Sequence, residues 1–232
     1  MLNNPGSSPY PSQPASMSPF QTWTMALAPS EQNYVQIARD PNATAGRAYL
    51  WLVVAFLVGG VISTIIGAGV NLIFGPSVNP FLPALAPARP GLGSVLISLV
   101  CGVPIGAVLL VIGTTIGIGL QQLLASALGG KGAFSQLIYA YSAYYVPIFI
   151  ASSFISSIPF VNFLLVFTGL YALVLNVIAT KAVHQFGWGR AIAASVLIPL
   201  LLLVLVGCLL GLVLVLLGPA IGNVFSSIVT GI

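Results

Sequence analysis

Charged residues are the rarest class in this 232-residue chain. Only 3% of its residues are Asp, Glu, Lys or Arg, whereas 58% are hydrophobic, and the mean hydropathy is +1.10. A soluble domain carries about 25% charged residues, so this chain has too few to cover its surface with groups that water solvates. The composition therefore excludes a soluble globular protein and predicts an integral membrane protein.

Groups that perform chemistry are equally scarce. The chain has a single histidine, His184, and two acids, Glu31 and Asp40, which both precede the first long apolar run. Intramembrane ionisable groups mark proton relays and ion-coupled transport, and their absence from the apolar runs argues against a coupled pump. One histidine without a neighbouring acid leaves no catalytic triad and no metal-ligand set. We therefore expect no enzymatic activity and no cofactor.

The cysteines and the basic residues exclude little more. Cys101 and Cys208 lie deep in apolar runs, where we expect them to act as small packing residues. The net charge of +4 comes from scattered Lys and Arg residues, whereas nucleic-acid binding requires clustered basic residues. We therefore expect no nucleic-acid partner.

Changes in composition divide the chain into four parts. Residues 1–20 are rich in Pro, Ser, Asn and Gln, with too few apolar residues to order themselves, and we expect a disordered tail. Residues 21–47 mix apolar and polar residues and form a juxtamembrane segment. Residues 48–217 contain the long apolar runs of the membrane domain, and we expect residues 218–232 to be a short C-terminal tail that starts where Gly-Pro ends the last run.

The juxtamembrane segment 21–47 is predicted to be partly helical. Ser30 and Glu31 follow a proline and have the residue types of a helix N-cap and a first turn. We expect short amphipathic pieces that lie at the membrane surface, anchored there by Trp23 and Tyr34, because aromatic side chains with a polar group favour the headgroup level.

Four of the apolar runs have the length of a single membrane span. The first run follows more than forty polar residues and is too long for a signal-peptide core, so we expect it to be retained as a span. A proline-rich stretch at 74–91 predicts a loop outside the membrane. The four spans are predicted at residues 48–73, 134–154, 160–179 and 191–217.

The run at 92–128 is nearly twice as long as the about 20 residues that one span needs. It is consistent with one long helix, with a helix plus a re-entrant piece, or with two short spans, and Pro104 permits a kink. Lys and Arg favour the cytoplasmic side. If the run crosses once, five basic residues lie in the cytoplasm and only Arg89 lies outside. If it crosses twice, the division is two against four.

Charge bias therefore predicts a fold of the all-α class: a polytopic membrane helical bundle of five transmembrane helices. The N-terminus lies in the cytoplasm and the C-terminus outside. A re-entrant piece within 92–128 would preserve this parity and stays open at this point.

Small residues recur at helical spacing in the first, second and fifth spans. Such stripes let helix backbones approach closely in lipid, and Gln121 continues the face of one of them. We expect helix packing, within this chain or with another, at Gly59, Ser63, Gly67, Gly102, Gly106, Gly113, Gly117, Gly207 and Gly211.

Polar side chains inside the apolar runs are the remaining candidates for a site. Four tyrosines lie within seven residues of the third span and cover most of the helix circumference, so some must face protein. The candidates are Tyr141, Tyr144, Tyr145, Asn162 and Asn176. Convergence of these side chains on one open cavity would favour a passive path for a small or apolar solute. Packing against other helices or lipid would favour association.

A polar elbow, residues 180–199, separates the fourth and fifth spans. It contains Lys181, His184 and Arg190, and charge bias places it in the cytoplasm. We expect His184 to be a solvated loop residue, and the two cations to be anchors that contact anionic headgroups.

The residue order of three segments adds a resemblance to a family. The elbow resembles the connection between the fourth and fifth spans of the Yip-domain family (the Ypt/Rab-interacting-protein family) through Val183-His184, Gly187, Gly189-Arg190-Ala191 and Pro199. The segment Gly129-Gly130-Lys131-Gly132-Ala133-Phe134, followed by a Tyr-rich span with Pro147, is similar to the family's entry into its third span. The lead-in from Trp23 to Pro29, with Pro41, resembles bacterial members.

The resemblance covers about Gln21 to Leu217 and implies a five-span fold. For eukaryotic members it implies association with Rab-type GTPases and with one another in vesicle transport; for bacterial members it implies no settled activity. We expect a protein of the bacterial plasma membrane that associates with lipids, other membrane proteins or itself. A GTPase partner is implied by the resemblance alone. The alternative is a passive transporter or channel.

Overall fold

The computed structural model describes residues 16–74, 91–158 and 161–230. Most of the expected disordered tail, together with the proline-rich loop that contains Arg89, lies outside the described residues. Within the described ranges the chain is helical and contains no strand.

The described residues form eight α-helices and one π-helical turn. In chain order they are α1 (Pro19–Leu27), α2 (Glu31–Ala38), α3 (Ala45–Phe74), α4 (Leu92–Ile97), the π turn (Ser98–Gly102), α5 (Val103–Ala127), α6 (Phe134–Ser156), α7 (Leu164–His184) and α8 (Trp188–Thr230).

Within the described residues, five helical stretches are long and apolar enough to cross a membrane. They are the first span Ala45–Ile73, the second Leu92–Ala127, the third Phe134–Ser156, the fourth Leu164–His184 and the fifth Trp188–Gly218. The prediction of an all-α bundle with five membrane spans is confirmed.

The long apolar run forms one continuous helical span. Backbone angles stay helical where α4 meets the π turn at Ser98 (φ −61°, ψ −43°) and where the π turn meets α5 at Val103 (φ −65°, ψ −47°). Pro104 lacks an N–H and its ring would clash with the carbonyl four residues earlier. A wider π turn just before Pro104 relieves this clash while the helix continues. Of the three alternatives, the structure has the single long helix.

Both ends of the chain are more helical than the composition predicted. Helix α1 begins at Pro19, inside the segment where we expected disorder. Proline suits the first position of a helix, and the Ser18 hydroxyl accepts a hydrogen bond from the Gln21 amide at 3.3 Å. Helix α8 continues through Gly218 and Pro219 to Thr230, where we expected it to stop. Membrane helices tolerate proline because the freed backbone groups find other partners.

The helix ends nearest the polar connections meet at one end of the bundle, which we call the charged end. Here α1 packs on α6, α2 packs on α7, and the Gln136 amide of α6 donates to the Ala38 carbonyl of α2 at 3.2 Å. The charged end carries all the charged residues that the structure describes: Glu31, Arg39, Asp40, Arg47, Lys131, Lys181 and Arg190.

Helices α1 and α2 form part of the protein core and are not surface pieces held by lipid alone. Tyr34, expected to anchor at the membrane surface, is fully buried. Its hydroxyl donates to the Ala26 carbonyl at 2.6 Å, and its ring meets Tyr144 of the third span edge-on at 6.4 Å. Burial raises the pKa of this hydroxyl above its usual range. The anchoring role predicted for Tyr34 is wrong.

Candidate sites at the charged end and in an intramembrane cavity

The connection between the fourth and fifth spans is much shorter in the structure than the sequence predicted. Helix α7 ends at His184 and α8 begins at Trp188, so only three residues connect them. Gln185 adopts the left-handed conformation (φ 57°) that closes the helix. Because the helices extend this far, most of the 180–199 segment belongs to α7 and α8.

His184 is a buried structural residue. It is only 1% exposed, its Nδ1 accepts a hydrogen bond from the Gly132 amide at 3.2 Å, and its ring stacks on Phe186 at 5.4 Å. The expectation of a solvated loop histidine is wrong, because the loop between the second and third spans packs over it.

Two glycines of that loop make the close approach possible. A Cβ on Gly130 would lie 2.5 Å from His184 Nδ1 and 2.9 Å from the Ala125 carbonyl oxygen. A Cβ on Gly132 would lie 2.6 Å from the Val183 carbonyl oxygen. Only glycine fits at such distances. Two of the three segments on which the family resemblance rests, the elbow and residues 129–134, are therefore in direct contact with each other.

The charged residues tie the N-terminal helices to the spans. Lys181 forms an ion pair with Glu31 of α2 and lies over the Trp188 ring at 4.6 Å; its side chain is only 12% exposed. Tyr139 of the third span donates to Asp40 Oδ2 at 3.2 Å. Lys181 thus makes protein contacts where we expected a headgroup anchor, whereas Arg190 is exposed. No local pattern predicts these pairings, because their partners lie about 100 or more residues apart.

A hydrogen-bonded group of side chains, the polar cluster, joins the second, fourth and fifth spans. Gln121 Nε2 donates to Thr180 Oγ1 at 2.6 Å, to Ser195 Oγ at 3.3 Å and to Asn176 Oδ1 at 3.3 Å. Ser195 Oγ also donates to Thr180 Oγ1 at 3.0 Å. Sequence reasoning selected Asn176 but missed Thr180 and Ser195, because hydroxyls are common in membrane helices and have no distinctive spacing.

An intramembrane cavity of about 490 Å³ lies between the second, third, fourth and fifth spans, with the polar cluster at one side. Tyr141, Tyr145 and Asn176, three of the five polar candidates, converge on it. The lining consists of Leu109, Leu110, Gly113, Thr114, Gly117, Ile118, Gln121, Tyr141, Tyr145, Asn176, Ile198 and Pro199.

The other two polar candidates lie elsewhere. Tyr144 is 1% exposed and packs in the core against Tyr34. Asn162 precedes α7, which begins at Leu164, and it is exposed. Its amide nitrogen, oriented toward α6, reaches the carbonyl oxygens of Ile155 at 3.2 Å and Ser156 at 3.1 Å. Asn162 therefore caps the third span and is not an intramembrane polar group.

The small residues divide by environment. Gly59 and Gly106 are packed: a Cβ would lie 2.5 Å from Ser153 Oγ and 2.7 Å from the Phe56 ring respectively. The Ser63 carbonyl accepts from the Ser157 hydroxyl at 3.5 Å. At Gly102 a Cβ would meet only Ser98 of its own span, at 3.9 Å. A Cβ would meet no described atom within 4 Å at Gly67, Gly113, Gly117, Gly207 and Gly211.

The two cysteines also differ from expectation. Cys101 and Cys208 are both exposed, so neither packs inside the bundle. Among the described residues, no three of His, Cys, Asp and Glu come together in an arrangement that would hold a metal ion.

Five apolar spans, of which the second, fourth and fifth are joined by buried hydrogen bonds, define a polytopic helical membrane protein. The Yip1 domain model matches residues 23–211, so the chain belongs to the Yip1 domain family. This match confirms the family indicated by the residue order of the elbow and of the 129–134 segment. No curated protein and no solved structure matches the chain significantly.

Proposed function

We propose that this Yip1 domain protein performs no chemistry and acts by association within the membrane, with a second copy of itself, with other membrane proteins and with lipids. The observation that carries the proposal is the uncovered outer part of α8. Among the residues of α8 whose burial the structure describes, the buried ones are Ala191, Ala194 and Ser195, which all belong to the elbow. Beyond them, the large apolar residues from Leu200 to Leu217 whose side chains the structure describes are half or more exposed, except Val213 at 47%.

The uncovered part of α8 has the residue pattern of a helix-pairing surface. Gly207 and Gly211 form a GxxxG pair, and no described atom lies within 4 Å of a Cβ built at either position. Helices in lipid associate by van der Waals packing, which small residues permit by letting backbones approach. The first such partner to test is the same helix of a second copy.

The chain carries a natural probe of this pairing at Cys208, next to Gly207 and exposed. In native membranes, a Cys101→Ser variant, which keeps only Cys208, is expected to form a covalent dimer with a short bis-maleimide. The matched control, Cys208→Ser, keeps Cys101 and should form none. Gly207→Ile with Gly211→Ile should abolish the dimer. A wild-type protein that stays monomeric and retains no membrane protein in mild detergent would overturn the proposal.

For localisation we propose the bacterial plasma membrane, with the charged end in the cytoplasm. Support comes from the positive-inside bias: Arg39, Arg47, Lys131, Lys181 and Arg190 all belong to the charged end. The N-terminus then lies in the cytoplasm and the C-terminus lies outside.

A passive transporter or channel is the second candidate, favoured by the convergence of Tyr141, Tyr145 and Asn176 on the cavity. Against conduction, the side of the cavity facing the charged end is filled by Gln121, Thr180 and Ser195, each at most 4% exposed. Reconstituted liposomes test this candidate. If the protein is a transporter, liposomes that contain it should release a small uncharged solute faster than protein-free liposomes. The Gly117→Leu variant, which narrows the cavity, should slow that release.

A further inference from the structure

We propose that the cavity between the second and fifth spans is a binding site for one acyl chain that ends in an oxygen-bearing polar group. The acyl chain of a phospholipid and a free fatty acid share this chemistry. The site deepens the lipid-associating part of the proposed function and so rests on it, but it does not involve the outer part of α8.

Polar groups gather toward one end of the cavity. Gln121 lies near the charged-end terminus of the second span, and Asn176 lies across from it on the fourth. Among the described residues, the Tyr141 and Tyr145 hydroxyls have no hydrogen-bond partner, although both side chains line the cavity. A tyrosine hydroxyl can donate to the carbonyl oxygen of an ester or of a neutral carboxylic acid. This end therefore fits the polar end of an acyl chain.

The opposite end of the cavity is apolar and lies deeper in the span. Leu109 and Gln121 both line the cavity and are twelve positions apart on α5, which corresponds to about 18 Å along the helix. Half of a bilayer hydrocarbon core is about 15 Å thick. The cavity thus has the length of a chain from one leaflet, with its polar group toward the charged end.

The rim of the cavity opens toward surrounding lipid. Leu109 is 62% exposed, and Gly113 and Pro199 are exposed as well, so the opening lies between the second and fifth spans. The absence of side chains at Gly113 and Gly117 leaves the space open. A chain can therefore enter sideways from the bilayer without crossing the charged end.

The chemistry of the lining disfavours other occupants. None of the lining residues is charged, so a bare ion would lose its hydration without a counter-charge. The volume of about 490 Å³ falls within the range of roughly 300–1,000 Å³ typical of small-molecule sites. An apolar chain with one hydrogen-bonding end satisfies both parts of the lining.

Photolabelling of the full chain in liposomes tests the site. Two probes carry a diazirine in the acyl chain: a phosphatidylglycerol and a free fatty acid. Labelled peptides are identified by mass spectrometry. We expect label on α5, α6 and the start of α8, at residues of the lining. Label from the phospholipid identifies a membrane lipid as the source, whereas label from the fatty acid alone identifies the free acid.

Matched variants separate the cavity from the lipid-facing surface. Gly117→Leu fills the cavity, whereas Gly119→Leu is the control: neither position has a described atom within 4 Å of a built Cβ, and Gly119 does not line the cavity. Gly117→Leu should lower cavity labelling about tenfold, and Gly119→Leu should leave it unchanged. Tyr141→Phe with Tyr145→Phe should lower it about 2- to 10-fold, since one hydrogen bond contributes about 0.5–1.5 kcal/mol.

Equal labelling of the wild type and Gly117→Leu would overturn the proposal, as would label confined to exposed residues such as Val206 and Leu210. The Cys208 crosslink should be the same in the wild type and Gly117→Leu. If the Cys208 crosslink does not form while the probes still label the cavity lining, self-association is refuted and the proposed lipid site stands.

Discussion

Gly130 and Gly132 differ from most other small residues of the chain in what surrounds them. A Cβ at either position would collide with backbone, at the Ala125 carbonyl (2.9 Å) or the Val183 carbonyl (2.6 Å). At Gly59 and Gly106 the neighbours are side chains, which can move. The sequence shows every glycine alike, so spacing alone did not separate those that hold a backbone contact from those that face open space.

Gly132→Ala is expected to destabilise the protein by about 1–3 kcal/mol, the usual cost of forcing an added methyl group into a packed site. The Val183 backbone it would meet belongs to α7 and has no room to retreat. The measurement is size-exclusion chromatography of the detergent-solubilised protein after heating, and the variant should show a lower apparent Tm than the wild type.

The control for this prediction is Gly187→Ala in the turn between α7 and α8, where a Cβ meets nothing within 4 Å. Its Tm should match that of the wild type. An equal loss of stability in both variants would mean that an added methyl group destabilises either connection at the charged end. The contact with Val183 would then not be the cause of the lower Tm.

His184 shows the same limit of sequence reasoning at one residue. A lone histidine between two apolar runs is typical of a solvated loop, but α7 extends over it and Gly132 donates to it. Burial here depends on a loop 52 positions earlier in the chain, and no local pattern records that contact.

At the scale of elements, α1 and α2 illustrate how far an amphipathic pattern can be interpreted. The pattern correctly indicated helices at this position, and Ser30 and Glu31 do stand at the start of α2. It did not indicate what covers their apolar faces. The third and fourth spans do so: α1 packs on α6, α2 packs on α7, and Tyr144 of the third span meets Tyr34.

Tyr34→Ala is expected to release α1 and α2 from the bundle. Removing a fully buried aromatic side chain costs about 3–5 kcal/mol, and the loss falls on two short helices. Limited proteolysis within residues 16–44 should become at least about tenfold faster, while the spans stay protected.

Phe20→Ala is the matched control, because Phe20 is an aromatic residue of α1 that is 74% exposed. Its cleavage rate should equal that of the wild type. If Tyr34→Ala is also cleaved at the wild-type rate, the N-terminal helices are held by other contacts, of which the pair between Glu31 and Lys181 is the first to examine.

At the scale of the whole molecule, the described charges collect at one end of the bundle. The charges group in this way because the long run at 92–127 crosses the membrane once, which makes the number of spans odd. Counting Lys and Arg in the sequence led to the same parity. The side of the membrane that the charged end faces remains the proposal made above, because the helix packing is the same in either orientation.

Labelling of single cysteines with a membrane-impermeant maleimide tests the orientation in intact spheroplasts. In a background with Cys101→Ser and Cys208→Ser, we expect Ser77→Cys, in the proline-rich loop, to react from outside. Arg190→Cys, at the exposed start of α8, should react only after lysis. The reverse pattern would place the charged end outside and refute the proposed topology.

The protein class, the number of spans and the family could all be predicted from the amino-acid sequence. These features follow from quantities that every segment carries locally: apolar length, the scarcity of charge, and the residue order around Gly129–Phe134 and the elbow. Backbone hydrogen bonding in lipid leaves a long apolar segment little choice but a helix, so the fold class needs no knowledge of distant contacts.

The roles of the polar and small residues became visible only in the packed helices. The tertiary structure brought Gln121, Asn176, Thr180 and Ser195 together, directed Tyr141 and Tyr145 into the cavity, and placed Tyr144, Asn162 and His184 in packing and capping roles. In lipid, helices associate through close packing and a few hydrogen bonds. The partner of each polar side chain therefore depends on the rotation and depth of whole helices, which no local stretch of sequence contains.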